Sequence, residues 1–240
     1  MIKKIKSLIN EFRDKHDKTQ NQLAEIEWAN IYHDSINNKP EIKSLSLNVG
    51  RWAGNYSFFY LLSRILDDFE PKKILEFGLG ESSKFIGAHI SAGYINSRHK
   101  IIEHDDEWQS HFLSRCQLPD SSEIIKLNLT EALIENHKVI SYENVEKVYD
   151  EDVELFIVDG PFGSPRFSRF DIIALVKLFI KDKKFIIIID DYQRVGEKDT
   201  CRKLLTVLKE KNIDAQHTVF SGNKKQMLIS SNHYRFLHSI

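Results

Sequence analysis

Residues 72–90 read KKILEFGLGESSKFIGAHI, and they contain the pattern from which the fold can be predicted. Its first part, KKILEFG, is a short apolar run that predicts a buried β-strand. Gly78 and Gly80 then allow a tight turn and let the backbone approach a ligand closely. Ser82 and Ser83 begin a predicted helix whose N-terminal amides form a polar cradle. The stretch therefore predicts a strand–turn–helix unit that holds a ligand at its turn.

The chain after this unit repeats the alternation of strands and helices. Further strands are predicted at HKIIEHD (99–105), SEIIKLNL (122–129), VELFIVDG (153–160) and KKFIIIIDD (183–191), with helices at 106–116, 169–181 and 199–212. Residues from about 130 to 152 are less regular, and two strands at 214–222 and 224–231 flank a Gly-Asn turn. Apolar strands that alternate with helices indicate a parallel sheet covered on both faces. We therefore expect an α/β fold with a doubly wound, mostly parallel, Rossmann-like sheet and an antiparallel C-terminal hairpin.

The chain before this unit predicts helices. Residues 1 to about 30 carry Ile5, Leu8, Ile9 and Phe12 at helical spacing, on an otherwise charged background. The polar face carries both signs of charge, which favours packing on the domain or on a second copy over membrane binding. We expect residues 1–50 to form a helical extension, as a lid or a homodimerisation arm, and residues 51–240 to form the Rossmann-like domain.

Composition excludes several classes of protein. The 240 residues have a formal charge of -1 and 41% hydrophobic residues, which is enough apolar material for a core and gives no basic excess for nucleic acid. Cys116 and Cys201 cannot form a disulfide framework or a four-ligand zinc site by themselves. No apolar stretch approaches the roughly 20 residues of a membrane span. We expect a cytoplasmic protein with no nucleic-acid partner and no membrane span.

Ligands of such sheets bind at the carboxyl ends of the strands, and polar residues follow several of the predicted strands. Glu103 ends the second strand about 20 residues after the glycine turn, where a carboxylate accepts hydrogen bonds from ribose hydroxyls. His104 beside it is expected to line the site wall rather than to catalyse. The alternative for Glu103 is a solvated strand end.

Three aspartates follow the two most apolar strands. Asp159 ends VELFIVD, and Asp190 and Asp191 end FIIIIDD. Clustered carboxylates repel one another unless a cation or donors compensate, and Mg²⁺ prefers oxygen ligands. The alternative is that these aspartates cap turns and the following helix. Arg166 and Arg169, in the loop between the strands, either contact an acidic substrate group or pair with surface acids.

Together these residues resemble the class I S-adenosylmethionine-dependent methyltransferases over roughly residues 50–232, and within them the metal-dependent O-methyltransferases. The resemblance implies that the E-x-G-x-G turn, here Glu76, Gly78 and Gly80, holds the amino acid part of the cofactor, and that Glu103 binds its ribose. It also assigns a divalent cation to Asp159, Asp190 and Asp191, of which Asp159 and Asp191 are the expected catalytic residues. The full set expected to contact the cofactor is Glu76, Gly78, Gly80, Ser82, Ser83, Glu103, His104 and Asp159.

The implied reaction is methyl transfer to a hydroxyl of a small molecule or a sugar. Trp52, Tyr56 and Tyr192 are candidate aromatic contacts for the sulfonium, since a cation is attracted to an aromatic face. No lysine is clearly placed as a general base. Two alternatives stay open. One is an NAD(P)-dependent oxidoreductase, because residues 78–83 approximate G-x-G-x-x-G, and the other is a non-catalytic binding protein that keeps the fold.

Overall fold

A central sheet of seven strands organises the molecule, and a two-stranded hairpin flanks it. A computed structural model describes residues 2–240, with side chains from residue 4 onward. The strands are β1 (Lys73–Phe77), β2 (Arg98–Glu103), β3 (Ser122–Lys126), β4 (Leu129–Ile134), β5 (His137–Tyr142), β6 (Leu155–Val158), β7 (Ile186–Ile189), β8 (Ala215–Ser221) and β9 (Lys225–Ser231). The central sheet has the order β3-β2-β1-β6-β7-β9-β8, and β4 pairs with β5.

The sheet is parallel except at one edge. The pairs β1–β2, β2–β3, β1–β6 and β6–β7 are parallel, whereas β9 is antiparallel to both β7 and β8. The four residues of β6 and the four of β7 are all buried, as expected for strands covered on both faces. The predicted doubly wound sheet with its antiparallel C-terminal hairpin is confirmed.

Helices cover both faces of the sheet. They are α1 (Ile2–Ser35), α2 (Pro40–Lys43), α3 (Tyr56–Phe69), α4 (Glu81–Ser91), α5 (Asp106–Leu113), α6 (Asp171–Val176) and α7 (Val195–Glu210), with 3₁₀ helices at Val145–Val148 and Asn232–Ser239. Alternate residues of β1 point to opposite faces, so Leu75 and Phe77 join the core under α6 and α7, while Ile74 joins the core under α3 and α4. None of the described helices is long and apolar enough to cross a bilayer.

The N-terminal extension is partly built into the domain. Tyr32, Ile36 and Ile42 are buried in the same core cluster as α3 and α4. Trp28 Nε1 also donates to the carbonyl of Ser221, at the end of β8. The C-terminal half of α1 therefore belongs to the packed domain, and only its N-terminal half extends beyond it.

Two elements differ from the sequence-based expectation. The stretch after β3, expected to be irregular, contains the β4–β5 hairpin, whose turn residues Glu135 and Asn136 both have positive φ. The helix expected at 169–181 spans only Asp171–Val176. It starts later than expected because Arg169 has a positive φ of 57°, which is incompatible with a helical start at that residue. Both differences lie beside the carboxyl edge of the sheet.

Candidate active site

The carboxyl ends of β1 and β6 form the centre of the site. From β1 the chain proceeds to β2 on one side and returns as β6 on the other, so strand order reverses between them. Gly78 has a φ of +95°, and a Cβ built on Gly160 would lie 2.9 Å from the Gly78 nitrogen. Only glycine allows this close approach of the two strand ends. Ligands of such sheets bind outside the carboxyl ends of the strands where strand order reverses, so we take this edge, beside the predicted turn, as the candidate crevice.

The turn leads into the N-terminus of α4. The Gly80 amide donates to Ser83 Oγ at 3.0 Å, which closes the turn on the first helical residues. Ser83 is fully buried, and nothing lies within 4 Å of the position of a Cβ on Gly80. Gly80 thus faces open space at the crevice, whereas the Ser83 side chain stabilises the turn.

Glu76 links the end of β1 to α4 and to the adjacent strand β2. Its carboxylate is fully buried, accepts from Ser82 Oγ and lies 2.9 Å from His99 Nε2. The hydrogen bond to Ser82 ties the end of β1 to the first turn of α4. Glu76 and Ser82, both expected at the cofactor, therefore have side chains that order the turn from below.

Glu103 stands at the edge of the crevice and is bonded to the glycine turn. Its Oε2 accepts from the Leu79 amide at 3.0 Å, and its Oε1 accepts from the amides of His104 and Asp105 at 2.7 and 2.9 Å. Each carboxylate oxygen has two lone pairs, so Oε2 keeps one for a further donor. These three amides hold the carboxylate at the predicted place beside the turn.

His104 packs between Glu103 and Phe162. Its Nδ1 lies 2.9 Å from Glu103 Oε1, and its ring meets the Phe162 ring edge-to-face at 4.8 Å. Phe162 is 61% exposed in the loop after β6. The pair forms an aromatic rim on the β6 side of the crevice.

The three aspartates come together, but two buried cations lie among them. Ligand atoms of Asp159, Asp190 and Asp191 all lie within 4.8 Å of one another. Arg169 Nη2 bridges Asp159 Oδ1 at 2.8 Å and Asp191 Oδ2 at 3.0 Å. Lys224 Nζ bonds Asp190 Oδ2 and lies 3.1 Å from Asp191 Oδ1. Arg169, expected at a substrate or on the surface, instead neutralises the cluster.

This arrangement does not fit a resident divalent cation. Both Asp190 oxygens already accept a side-chain hydrogen bond, because Gln226 Nε2 donates to Oδ1 at 2.8 Å and Lys224 bonds Oδ2. Arg194 adds a third positive group 3.0 Å from Asp191 Oδ2. A metal would have to displace Arg169 and Lys224, and its repulsion with both would oppose binding. Fixed side-chain cations thus supply the charge compensation that the sequence assigned to Mg²⁺.

The neighbouring charges separate the pKa values of the aspartates. Burial, with repulsion from Asp190 and Asp191, raises the pKa of Asp159 to about 7 against the opposing pull of Arg169 and Lys224. Burial also acts to raise the pKa of Asp191, but Lys224, Arg169 and Arg194 outweigh it and lower that pKa. Asp159 has the most exposed carboxylate of the three, at 26%. It is therefore the one suited to exchange a proton with a ligand.

Lys224 is a residue that the sequence did not single out. Burial alone would lower its pKa, but attraction to the three aspartates outweighs burial, so the pKa is raised. The side chain stays an ammonium and cannot serve as a general base. Lys224 lies on the β8–β9 turn, and it reaches Asp190 and Asp191 after β7 only because β9 pairs with β7, which the sequence pattern does not specify.

The segment before α3 contacts both the first residue of α4 and the acid cluster. Asn48 bonds both carboxylate oxygens of Glu81 on α4, and the Ala53 carbonyl accepts from Lys224 at 3.2 Å. Trp52 between them is 96% exposed. Of the aromatic contacts expected for the sulfonium, Tyr56 instead packs against Tyr32 of α1.

Tyr192 likewise packs against the core under α6 and α7. Tyr142, which the sequence did not identify, lies closer to the crevice. Its hydroxyl is buried, would contact a Cβ on Gly160 at 2.8 Å, and has no hydrogen-bond partner among the described residues. Burial raises its pKa, so it remains a neutral donor. An unpaired buried hydroxyl costs free energy, and a ligand acceptor in the crevice would satisfy it.

Comparison with solved structures agrees with this topology. No family model matches the sequence, and no curated protein matches it. An O-methyltransferase from Bacillus cereus in complex with S-adenosylhomocysteine (SAH) is 12% identical, covering 88% of this chain and 91% of that one, with a TM-score of 0.51. A proposed O-methyltransferase from Klebsiella pneumoniae is also 12% identical, covering 87% and 99%, with a TM-score of 0.50. The chain has the class I methyltransferase fold.

At this identity the likeness shows the architecture alone. The resemblance inferred from the sequence is confirmed at the level of topology, including the strand order and the antiparallel edge. The roles of individual residues rest on the geometry of the crevice.

Proposed function

We propose that the protein transfers a methyl group from S-adenosylmethionine to a hydroxyl oxygen of a small molecule or carbohydrate. One observation carries the proposal. At the reversal of strand order, Glu103, the glycine turn and the partly exposed Asp159 border one crevice. A ribose-binding acid, a close backbone approach and a proton acceptor are the groups that this reaction needs in one place.

The crevice offers the cofactor hydrogen-bonding capacity that the chain itself does not use. Glu103 Oε2 has a lone pair free for a ribose hydroxyl, and the Tyr142 hydroxyl has a proton free for an acceptor. Gly80 faces open space at the N-terminus of α4, where backbone amides favour a carboxylate. Glu76, Ser82 and Ser83 contribute by fixing the turn from below. When bound, the cofactor supplies an electrophilic methyl group on its sulfonium.

Asp159 is the proposed general base. Its raised pKa lies near neutral pH, where a base is most effective at removing a hydroxyl proton. Asp191 acts on Asp159 through Arg169, which bonds both carboxylates. We therefore assign Asp191 to positioning, and the remaining contribution of the site is alignment of the acceptor oxygen with the methyl group.

We propose further that the reaction needs no resident divalent cation. Arg169 and Lys224 already compensate Asp159, Asp190 and Asp191. A substrate hydroxyl then meets Asp159 directly rather than through a metal ion. The metal-dependent mechanism is the alternative that a cation titration distinguishes.

The exposed side chains of Trp52 and Phe162 favour a substrate with a flat or ring-shaped apolar face. Trp52 is 96% and Phe162 is 61% exposed, on the segment before α3 and on the loop after β6. We take these two side chains as candidate substrate contacts, because their segments adjoin α4 and the end of β6. Both an aromatic ring and the apolar face of a sugar ring suit them.

Calorimetric titration tests the proposal. SAH is expected to bind at micromolar concentration, with the same affinity in the presence of Mg²⁺ and of a chelator, and NAD is expected not to bind. Binding of NAD without binding of SAH would favour the oxidoreductase alternative and overturn the proposal. A protein that binds SAH but methylates no member of a panel of catechols, phenols and sugars would favour the non-catalytic alternative.

A further inference from the structure

The N-terminal half of α1 projects beyond the domain. Every side chain from residue 4 to residue 20 is exposed, and α1 packs on α3 only further along, where Trp28 contacts Tyr60. At 1.5 Å per residue the projecting part is about 26 Å long. A helix of this length without tertiary contacts is only marginally stable in water. A partner for this part of α1 would stabilise it.

The projecting helix carries a regular stripe that continues into the packed half. Its members alternate at spacings of four and three residues, and we call them the α1 seam: Ile5, Ile9, Phe12, His16, Thr19, Leu23, Ile26 and Asn30. The five apolar members are exposed by 50, 46, 73, 55 and 60% in chain order. Alternating spacings of four and three residues are the pattern of a coiled coil.

The α1 seam faces away from the domain. Leu23 and Trp28 are five positions apart, which places them about 140° apart around the helix. Trp28 packs toward Tyr60 and Phe220, so Leu23 and the rest of the seam point outward. A second helix can therefore lie along the seam from the side opposite α3.

We propose that the α1 seam pairs with the α1 seam of a second copy as an antiparallel coiled coil, centred between residues 17 and 18. The seam is symmetric about this centre. Ile9 lies opposite Ile26 of the second copy, and Phe12 lies opposite Leu23. The polar His16 lies opposite the polar Thr19. Every large apolar member from Ile9 to Ile26 thus meets an apolar member, and the polar residues meet in the middle.

Charge favours the antiparallel arrangement. The exposed Lys6 lies beside the seam at one end and the exposed Glu27 beside it at the other. In the antiparallel register these two flanking positions meet across the interface, where opposite charges stabilise the pair. A parallel pair would instead place the Lys6 side chains of both copies at one end and the Glu27 side chains at the other, so these opposite charges would not meet. The occupant is therefore a second copy in antiparallel orientation.

Sedimentation equilibrium tests the association, which does not depend on the proposed methyl transfer. The unmodified protein is expected to be a dimer at micromolar concentration, and Phe12→Glu is expected to be a monomer. Asn10→Glu introduces the same charge on the opposite side of the helix and is the matched control, expected to remain dimeric. Because residues 4–20 do not contact the domain, near-ultraviolet circular dichroism should be the same for all three proteins.

Disulfide trapping tests the register. In a Cys116→Ser background, which removes the partly exposed thiol and keeps the buried Cys201, Ile9→Cys and Ile26→Cys are prepared as separate chains. Oxidation of the mixture is expected to link one chain of each kind, because only opposed Cα atoms come within about 7 Å. Neither chain alone is expected to link to itself. A monomeric unmodified protein, or self-linking of each chain alone, would overturn the proposal.

Discussion

Removal of the Lys224 ammonium is expected to destabilise the protein and to create a site for Mg²⁺. Lys224→Ala leaves Asp190 and Asp191 without the cation that now bonds both. Removing one partner of a buried ion pair costs about 3–5 kcal/mol. For a chain of this size about 2–4 °C of Tm corresponds to each kcal/mol, so the expected loss is about 6–20 °C.

The same variant opens room between the carboxylates, so a divalent cation can replace the lost charge. At about 10 mM Mg²⁺ and a Kd of about 1 mM, binding would restore about 1.4 kcal/mol, or about 3–6 °C of Tm. The measurement is thermal unfolding with and without Mg²⁺. Lys225→Ala is the control, since the Lys225 ammonium forms no ion pair among the described residues, and it should show neither change. The reasoning fails if the unmodified protein is itself stabilised by Mg²⁺, or if Lys224→Ala unfolds at the unmodified Tm.

Two further changes test the site, and a third tests a buried carboxylate of α6 beside it. Glu103→Gln removes a charged acceptor and should weaken SAH binding about 10- to 150-fold, measured by calorimetry, while Glu107→Gln on the exposed face of α5 should not. Asp159→Asn should lower kcat about 10²- to 10⁴-fold with SAH affinity retained, and it should abolish the fall in activity that protonation causes in the unmodified protein below about pH 7. Burial raises the pKa of Asp171 to about 7, so its charge destabilises the fold increasingly as pH rises from about 4 to 7. Asp171→Asn should therefore raise the free energy of unfolding by at most about 4 kcal/mol above pH 7 and by little at pH 4, as urea unfolding would show.

The parallel part of the sheet was predictable because burial on both faces leaves a continuous apolar signal. β6 and β7 read LFIV and IIII, and no amphipathic alternative fits either run. The β4–β5 hairpin was missed for the opposite reason. Its turn is Glu135-Asn136, with both residues at positive φ, and it lacks the Asn-Gly or Asp-Gly signal of such turns. Its strands are only half-buried, so their pattern is weak.

The acidic residues of the site could be predicted from the sequence, but the side chains that bond them could not. Glu103, Asp159, Asp190 and Asp191 follow apolar strands, and a parallel sheet brings such strand ends to one edge. The partner of Glu76 could not be deduced, because His99 lies near the start of the adjacent strand β2, in a position that carries no sequence signal for this contact. Tyr142 was missed together with the hairpin that ends with it.

The counter-ions of the acid cluster depend on tertiary contacts of two separate loops. Arg169 reaches the aspartates because its positive φ of 57° keeps it in the loop before α6 rather than in the helix. Lys224 reaches them because β9 inserts between β7 and β8. Aspartates at the ends of these strands are therefore compatible with either a bound metal or internal cations. The basic side chains on the loop before α6 and on the β8–β9 turn distinguish the two cases. These two positions should therefore be compared when a chain with this fold is assigned to a metal-dependent or a metal-independent reaction.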